Sequence, residues 1–163
     1  GFMGIRKAYF AAGCFWGVEY HFEKLNGVIS AISGYMGGHT ENPNYQMVCT
    51  GFSGHLEVVE VSYDETIVSF ETLTKLFFEI HDFTQINGQG PDIGSQYLSA
   101  IFYMDNEQKN ISEKLIQELE RKGFKVATSL YELVPFYEAE DYHQDYYARH
   151  QKVPYCHSYK KIF

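Results

Sequence analysis

The chain of 163 residues has no run of lysine or arginine, and its net charge is −8. A nucleic-acid backbone is therefore not an expected partner. No apolar stretch approaches the roughly 20 residues that a membrane-spanning helix needs. The first residues lack the charged-then-apolar pattern of a secretory signal. A soluble, cytoplasmic protein without membrane association is expected. Only three cysteines occur, at 14, 49 and 156, with no CxxC spacing. That argues against a disulfide scaffold or a zinc knuckle and leaves thiol redox chemistry open. The seven histidines form neither an HxxxH nor an HExxH pattern, so no metal is expected at a site. Internal repeats, low-complexity tracts and linkers are missing too. The length suits one domain, over 3–163, with a real core; Gly1 and Phe2 ahead of Met3 carry no weight.

What the chain has in excess is aromatic side chains, with fourteen tyrosines and thirteen phenylalanines. Most of them read as core filling. The stretch that organises the rest is Gly13-Cys14-Phe15-Trp16-Gly17. Residues 7–10 before it read as a short strand. After it, Phe15, Val18, Phe22 and Leu25 recur on one face of a helix. Cys14 then stands at a helix N-terminus, where unpaired N–H groups and the positive dipole end favour a thiolate. The competing reading is a buried structural cysteine.

Asn26-Gly27 ends that helix, and 28–35 reads as an apolar strand. A loop with little periodicity follows to about Gly54, longer than a simple connection needs. In the strand 55–63, alternation places Glu57, Val59, Val61 and Tyr63 on the more apolar face. A helix from Phe70 to about His81 and a Gly- and Asn-rich loop carrying Asp92 come next. A strand at 96–104 and an amphipathic helix at about 106–122 follow. A strand over 124–134, broken by Pro135, and a last helix over 140–150 complete the set. The order β-α-β-β-α-β-α-β-α suggests an α+β, two-layer sandwich whose mixed sheet is built on a split βαβ, ferredoxin-like core. The tail, about 151–163, is expected to be mobile and carries Cys156.

Several side chains are chemical candidates. Glu57 on an apolar face would have a raised pKa and suit proton donation, although a strand glutamate with its head in water is the commoner case. Tyr45 and Tyr97 could donate hydrogen bonds to a substrate oxygen, or simply fill core. Asp92 could be a turn residue. Cys156 could reach Cys14 and form a disulfide, or be an idle thiol. Cys49, between Val48 and Thr50-Gly51, reads as a buried structural thiol. His143 and His150 read as packing and surface on the last helix.

Five segments in order, GCFWG at 13–17, GYMGG at 34–38, NPNYQMVCTGFSGHLEVVEVSYD at 42–64, QGPDIGSQYLSAI at 89–101 and FYEAEDYHQDYY at 136–147, resemble the peptide methionine sulfoxide reductase A family. The resemblance implies reduction of the S epimer of methionine sulfoxide, free or in peptides and proteins. It assigns Cys14 as nucleophile, Glu57 as proton donor, Tyr45 and Tyr97 as hydrogen bonders to the oxygen, and Asp92 to site organisation. Phe15 and Trp16 would seat the substrate methyl group. Tyr155-Cys156 matches the family's tail motif, which makes Cys156 the resolving cysteine. A sulfenic acid on Cys14 would then give a Cys14–Cys156 disulfide, recycled by thioredoxin, with no organic cofactor or metal. A monomer is expected. Two other readings compete: a cysteine hydrolase or acyltransferase with His55 or His143 as base, and a peptide-binding module without turnover.

Overall fold

The computed structural model describes residues 4–150 and 157–163. In chain order the elements are β1 (Ile5–Ala12), α1 (Phe15–Glu23), β2 (Val28–Met36), α2 (Tyr45–Cys49), β3 (Leu56–Asp64) and α3 (Phe70–Glu79). They continue with β4 (Gly88–Gln89), β5 (Asp92–Ile93), β6 (Ser99–Tyr103), α4 (Asn106–Arg121), β7 (Ser129–Glu132), β8 (Phe136–Glu138) and α5 (Tyr146–His150). Six strands form one mixed sheet in the order β7-β6-β1-β3-β2-β8, and β4 and β5 pair by themselves. All neighbours in the large sheet are antiparallel except β6 and β7. The result is a mixed α+β domain.

Alternation along β1 explains the two layers of apolar packing, because successive side chains point to opposite faces. Ala8, Phe10 and Ala12 join the larger core with the helices, whereas Tyr9 and Ala11 join a smaller cluster with Met36, Leu56, Val58 and Phe102. Phe10 sits at the centre of the larger core, its ring 5.0 Å from Phe22 of α1 and 5.2 Å from Phe77 of α3. Both long helices start as their sequences dictate. Ser69 accepts from the Thr72 amide ahead of α3, and Asp105 from the Gln108 amide ahead of α4, each relieving one unpaired N–H. Among the described residues, no helix is long and apolar enough to cross a membrane.

The structure differs from the sequence reading in its shortest elements. The loop before Gly54 contains α2, capped by Asn44, whose side chain accepts from the Met47 amide. Only four residues of the strand expected over 124–134 pair in the sheet, as β7, and they run parallel to β6. The helix expected over 140–150 is broken into a 3-10 turn at Asp141–His143 and α5. Gln144 bonds through its side chain to both the amide and the carbonyl of Ser33, and Asp145 adopts a positive φ of 54°. The helix is interrupted here, where the Asp145 amide donates to Glu19 Oε2 on α1 instead of to a helical carbonyl. Residues 157–163, part of the tail expected to be mobile, are docked. His157 bonds to the Ala12 carbonyl at 2.6 Å, and the amides of Lys160 and Ile162 donate to Glu79.

Candidate active site

β1 ends at Ala12, and Gly13 follows with a φ of +91° that favours glycine; a Cβ there would stand 2.6 Å from Gln89 Cβ. This turn puts Cys14 at the N-cap of α1, where the helix's first amides point outward. Phe15 donates its amide to Glu57 Oε1 at 3.2 Å. A carboxyl from the middle of the sheet therefore meets the first turn of the cysteine's helix.

Glu57 is 2% exposed, and its second oxygen, Oε2, has no hydrogen-bond partner among the described residues. Desolvation pushes its carboxyl up to about 8, opposed by the Phe15 amide and reinforced by the charge of Asp92. The acid is thus protonated at neutral pH. Since Oε1 accepts the amide, the proton belongs on Oε2, which can give it away.

Two tyrosines complete this neighbourhood. Tyr45 opens α2, and Tyr97 closes the 3-10 turn Ser95–Tyr97. Burial raises the Tyr97 hydroxyl pKa, and the charges of Glu57, Cys49, Asp92 and Cys14 raise it further. Burial also raises that of Tyr45, helped by its contact with Cys49 and the charge of Glu57. Both phenols stay protonated at neutral pH and can donate hydrogen bonds. The structure therefore brings Cys14, Glu57, Tyr45, Tyr97 and Asp92 into one electrostatic neighbourhood, with Asp92 on β5 of the small hairpin. Cys156 lies outside the described residues.

An aromatic wall stands beside the thiol. Phe15 is fully buried, 5.6 Å from Tyr35 and 5.2 Å from His143 between ring centres. Trp16 stacks on Tyr146 at 3.8 Å with planes 5° apart and donates its indole N–H to His143 Nδ1 at 3.0 Å. Tyr45 packs 4.4 Å from the same imidazole. Glu140 ties the wall together, accepting from the Tyr35 hydroxyl at 2.9 Å and the Tyr45 amide at 3.1 Å.

Two readings need correction. Cys49 is exposed rather than buried, because it ends α2 on the side away from Val48. His143 packs, as read, but it is fully buried in this wall at the end of the 3-10 turn and not on one continuous last helix; His150 is exposed, as read. Sequence reasoning missed His143, Glu140, Tyr35 and Tyr146 as wall components. Three of them, Glu140, His143 and Tyr146, lie in the segment FYEAEDYHQDYY, which has no period that points them one way, and Tyr35 comes from GYMGG on β2.

The geometry also bears on a histidine base. His55 accepts the Gly38 amide at Nδ1 and bonds the Thr40 carbonyl through Nε2. His143 spends its Nδ1 lone pair on Trp16. In neither ring is a lone pair left to take a proton from a thiol.

A family model described as peptide methionine sulfoxide reductase matches residues 6–162. The peptide methionine sulfoxide reductase MsrA of Nautilia profundicola is 51% identical over 150 residues, 92% of this chain and 87% of that protein. Among solved structures, Mxr1 from Saccharomyces cerevisiae in reduced form has a TM-score of 0.91 at 33% identity, covering 97% of this chain and 93% of that one. The yeast protein in complex with Trx2 matches at a TM-score of 0.67 and 25% identity, over 97% and 91%.

Proposed function

Since the chain belongs to the peptide methionine sulfoxide reductase family, we propose that it reduces the S epimer of methionine sulfoxide to methionine, free or in peptides and proteins. The observation that carries this reading is the buried Glu57 carboxyl, held at one oxygen by the Phe15 amide and unpartnered at the other, one residue along α1 from the Cys14 thiol.

Cys14 attacks the sulfoxide sulfur as a thiolate while Glu57 delivers a proton to the oxygen, which leaves sulfur poorly without one. Tyr45 and Tyr97 donate hydrogen bonds to that oxygen. Phe15 and Trp16 hold the methyl group, and Asp92 keeps Glu57 protonated. The bond between the two sulfurs then breaks as the hydroxyl passes from the substrate sulfur to Cys14 Sγ, so that methionine leaves and Cys14 becomes a sulfenic acid. Cys156 then attacks this sulfur, expelling water and forming a disulfide. A thioredoxin dithiol reduces that disulfide by exchange; the complex of the relative Mxr1 with Trx2 supports such a partner. The cycle asks for no organic cofactor or metal.

The reading extends to a monomer working in the cytoplasm, as one domain over 3–163. A split βαβ, ferredoxin-like description of the core is part of it, supported by β3 lying antiparallel between β1 and β2.

The test is a reaction of the reduced protein with excess S-epimer methionine sulfoxide and no reductant, followed by methionine counting and peptide mass mapping. About one methionine per chain with a Cys14–Cys156 link is expected. Release with a different link would remove Cys156 as resolver. No release would return the chain to the binding-module or hydrolase readings.

A further inference from the structure

On the far end of α1 from Cys14, three carboxylates meet without a counter-charge. Glu19 and Glu23 lie one turn apart on the helix, and Asp145 faces them from the turn before α5. One oxygen of each lies within 4.8 Å of the others. None of the three takes part in an ion pair among the described residues. Glu19 is 1% exposed. Its Oε2 accepts the Asp145 amide at 2.7 Å, whereas Oε1 is buried with no hydrogen-bond partner among the described residues. Ser33 lies close, but its hydroxyl is also without a partner, and its amide is taken by Gln144.

A buried carboxylate oxygen left unmatched is costly unless a proton or a cation joins it. The surroundings suit a cation. The groove here is lined by Glu19, Glu23, Glu138, Gln144 and Asp145, and it runs along residues 28–32 of β2. Those residues lie beyond the register that β8 pairs, which begins at Gly34. Carboxylates, an amide and strand backbone make an all-oxygen donor set, which selects hard cations over thiophilic metals. Coordination chemistry narrows the choice. Calcium accepts irregular carboxylate sets, whereas magnesium demands near-ideal octahedral geometry and dehydrates reluctantly, so three carboxylates gathered from a helix and a turn favour the former.

We propose that Glu19, Glu23 and Asp145 bind a Ca2+-sized divalent cation, which clamps α1 to the turn that carries Tyr146. Desolvation pushes Glu19 up to about 8, and desolvation with the neighbouring acids pushes Glu23 up. The clamp is separate from the reacting groups, yet Asp145 adjoins Tyr146, whose ring stacks on Trp16. Cation binding therefore steadies the aromatic wall from behind.

The test is thermal melting of the full, reduced chain, stripped by a chelator and titrated with CaCl2, MgCl2 or NaCl at matched ionic strength. A saturable rise of a few degrees with Ca2+ is expected, with Mg2+ needing about tenfold more. The exposed Glu23→Gln and Asp145→Asn variants should lose the rise; asparagine tolerates the left-handed backbone of residue 145. Glu120→Gln on exposed α4 should keep it. Tb3+ luminescence excited through tyrosine, with Tyr20 beside Glu19 in sequence, should appear in the native chain and be displaced by Ca2+. No saturable shift, a shift matched by NaCl, or one that survives both variants would overturn the site. Mg2+ acting at the same concentration as Ca2+ would overturn the assignment of calcium.

Discussion

Phe15 and Glu57 are joined by a single hydrogen bond of 3.2 Å, and that bond decides which carboxyl oxygen carries the proton. The helix amide occupies Oε1, so the proton is left to Oε2, which is buried without a hydrogen-bond partner among the described residues. Because the amide that orients the acid belongs to the residue after Cys14, nucleophile and proton donor are fixed by the same turn of backbone.

Removing the transferable proton should therefore be costly. Glu57→Gln preserves the shape but supplies no acid, and kcat/KM should fall about 10²–10⁴-fold. The native pH profile should drop as Glu57 ionises near 8, and the variant should lack that limb. A variant with native activity and the same profile would remove Glu57 from the reaction.

The same group makes stability depend on pH. Its pKa rises from 4.5 in the unfolded chain to about 8 in the fold, so the native state binds a proton that the unfolded chain releases. This contribution is complete below pH 4.5 and declines as pH rises toward 8. Melting of the native protein should fall relative to Glu57→Gln across that window, by at least about 1 kcal/mol at its upper end. Glu19 contributes with the same sign, and comparison with the variant cancels it. Parallel melting curves at all pH values would contradict a protonated Glu57.

His143→Phe removes the acceptor for the Trp16 indole while keeping a ring among Phe15, Tyr45 and Trp16. An unsatisfied, partly buried N–H costs about 1–3 kcal/mol. KM for the sulfoxide should rise about tenfold, with kcat changed less. Unchanged KM would mean that the Tyr146 stack alone positions the indole.

Gly17→Ala tests the docking of the tail. The added Cβ would lie 2.1 Å from His157 Nδ1, and that ring is pinned by its 2.6 Å bond to the Ala12 carbonyl. Alanine itself favours the helix, so a stable variant would mean that the tail yields easily. Destabilisation of about 1–3 kcal/mol and faster proteolysis around residue 157 are expected.

Much of this was legible in the sequence because it rests on period. Phe70, Leu73 and Phe77 announce α3, the apolar stripe announces α4, and alternation in β3 puts Glu57 on the face that joins the helical core. The Gly13–Gly17 stretch likewise marks the strand-to-helix turn that presents Cys14. Periodicity could not foresee α2, the parallel β7 or the break at Asp145, since elements of a few residues take their hydrogen bonds from distant partners such as Ser33 and Glu19. Nor could it place His143 against Trp16, 127 positions away in the chain. The sequence by itself determined the chemistry available and the elements that carry it, because those depend on residue type and near neighbours. Tertiary structure alone decided which oxygen of Glu57 is free, which ring orients Trp16 and which acids meet at the end of α1, because each depends on burial and on contacts between residues far apart in sequence.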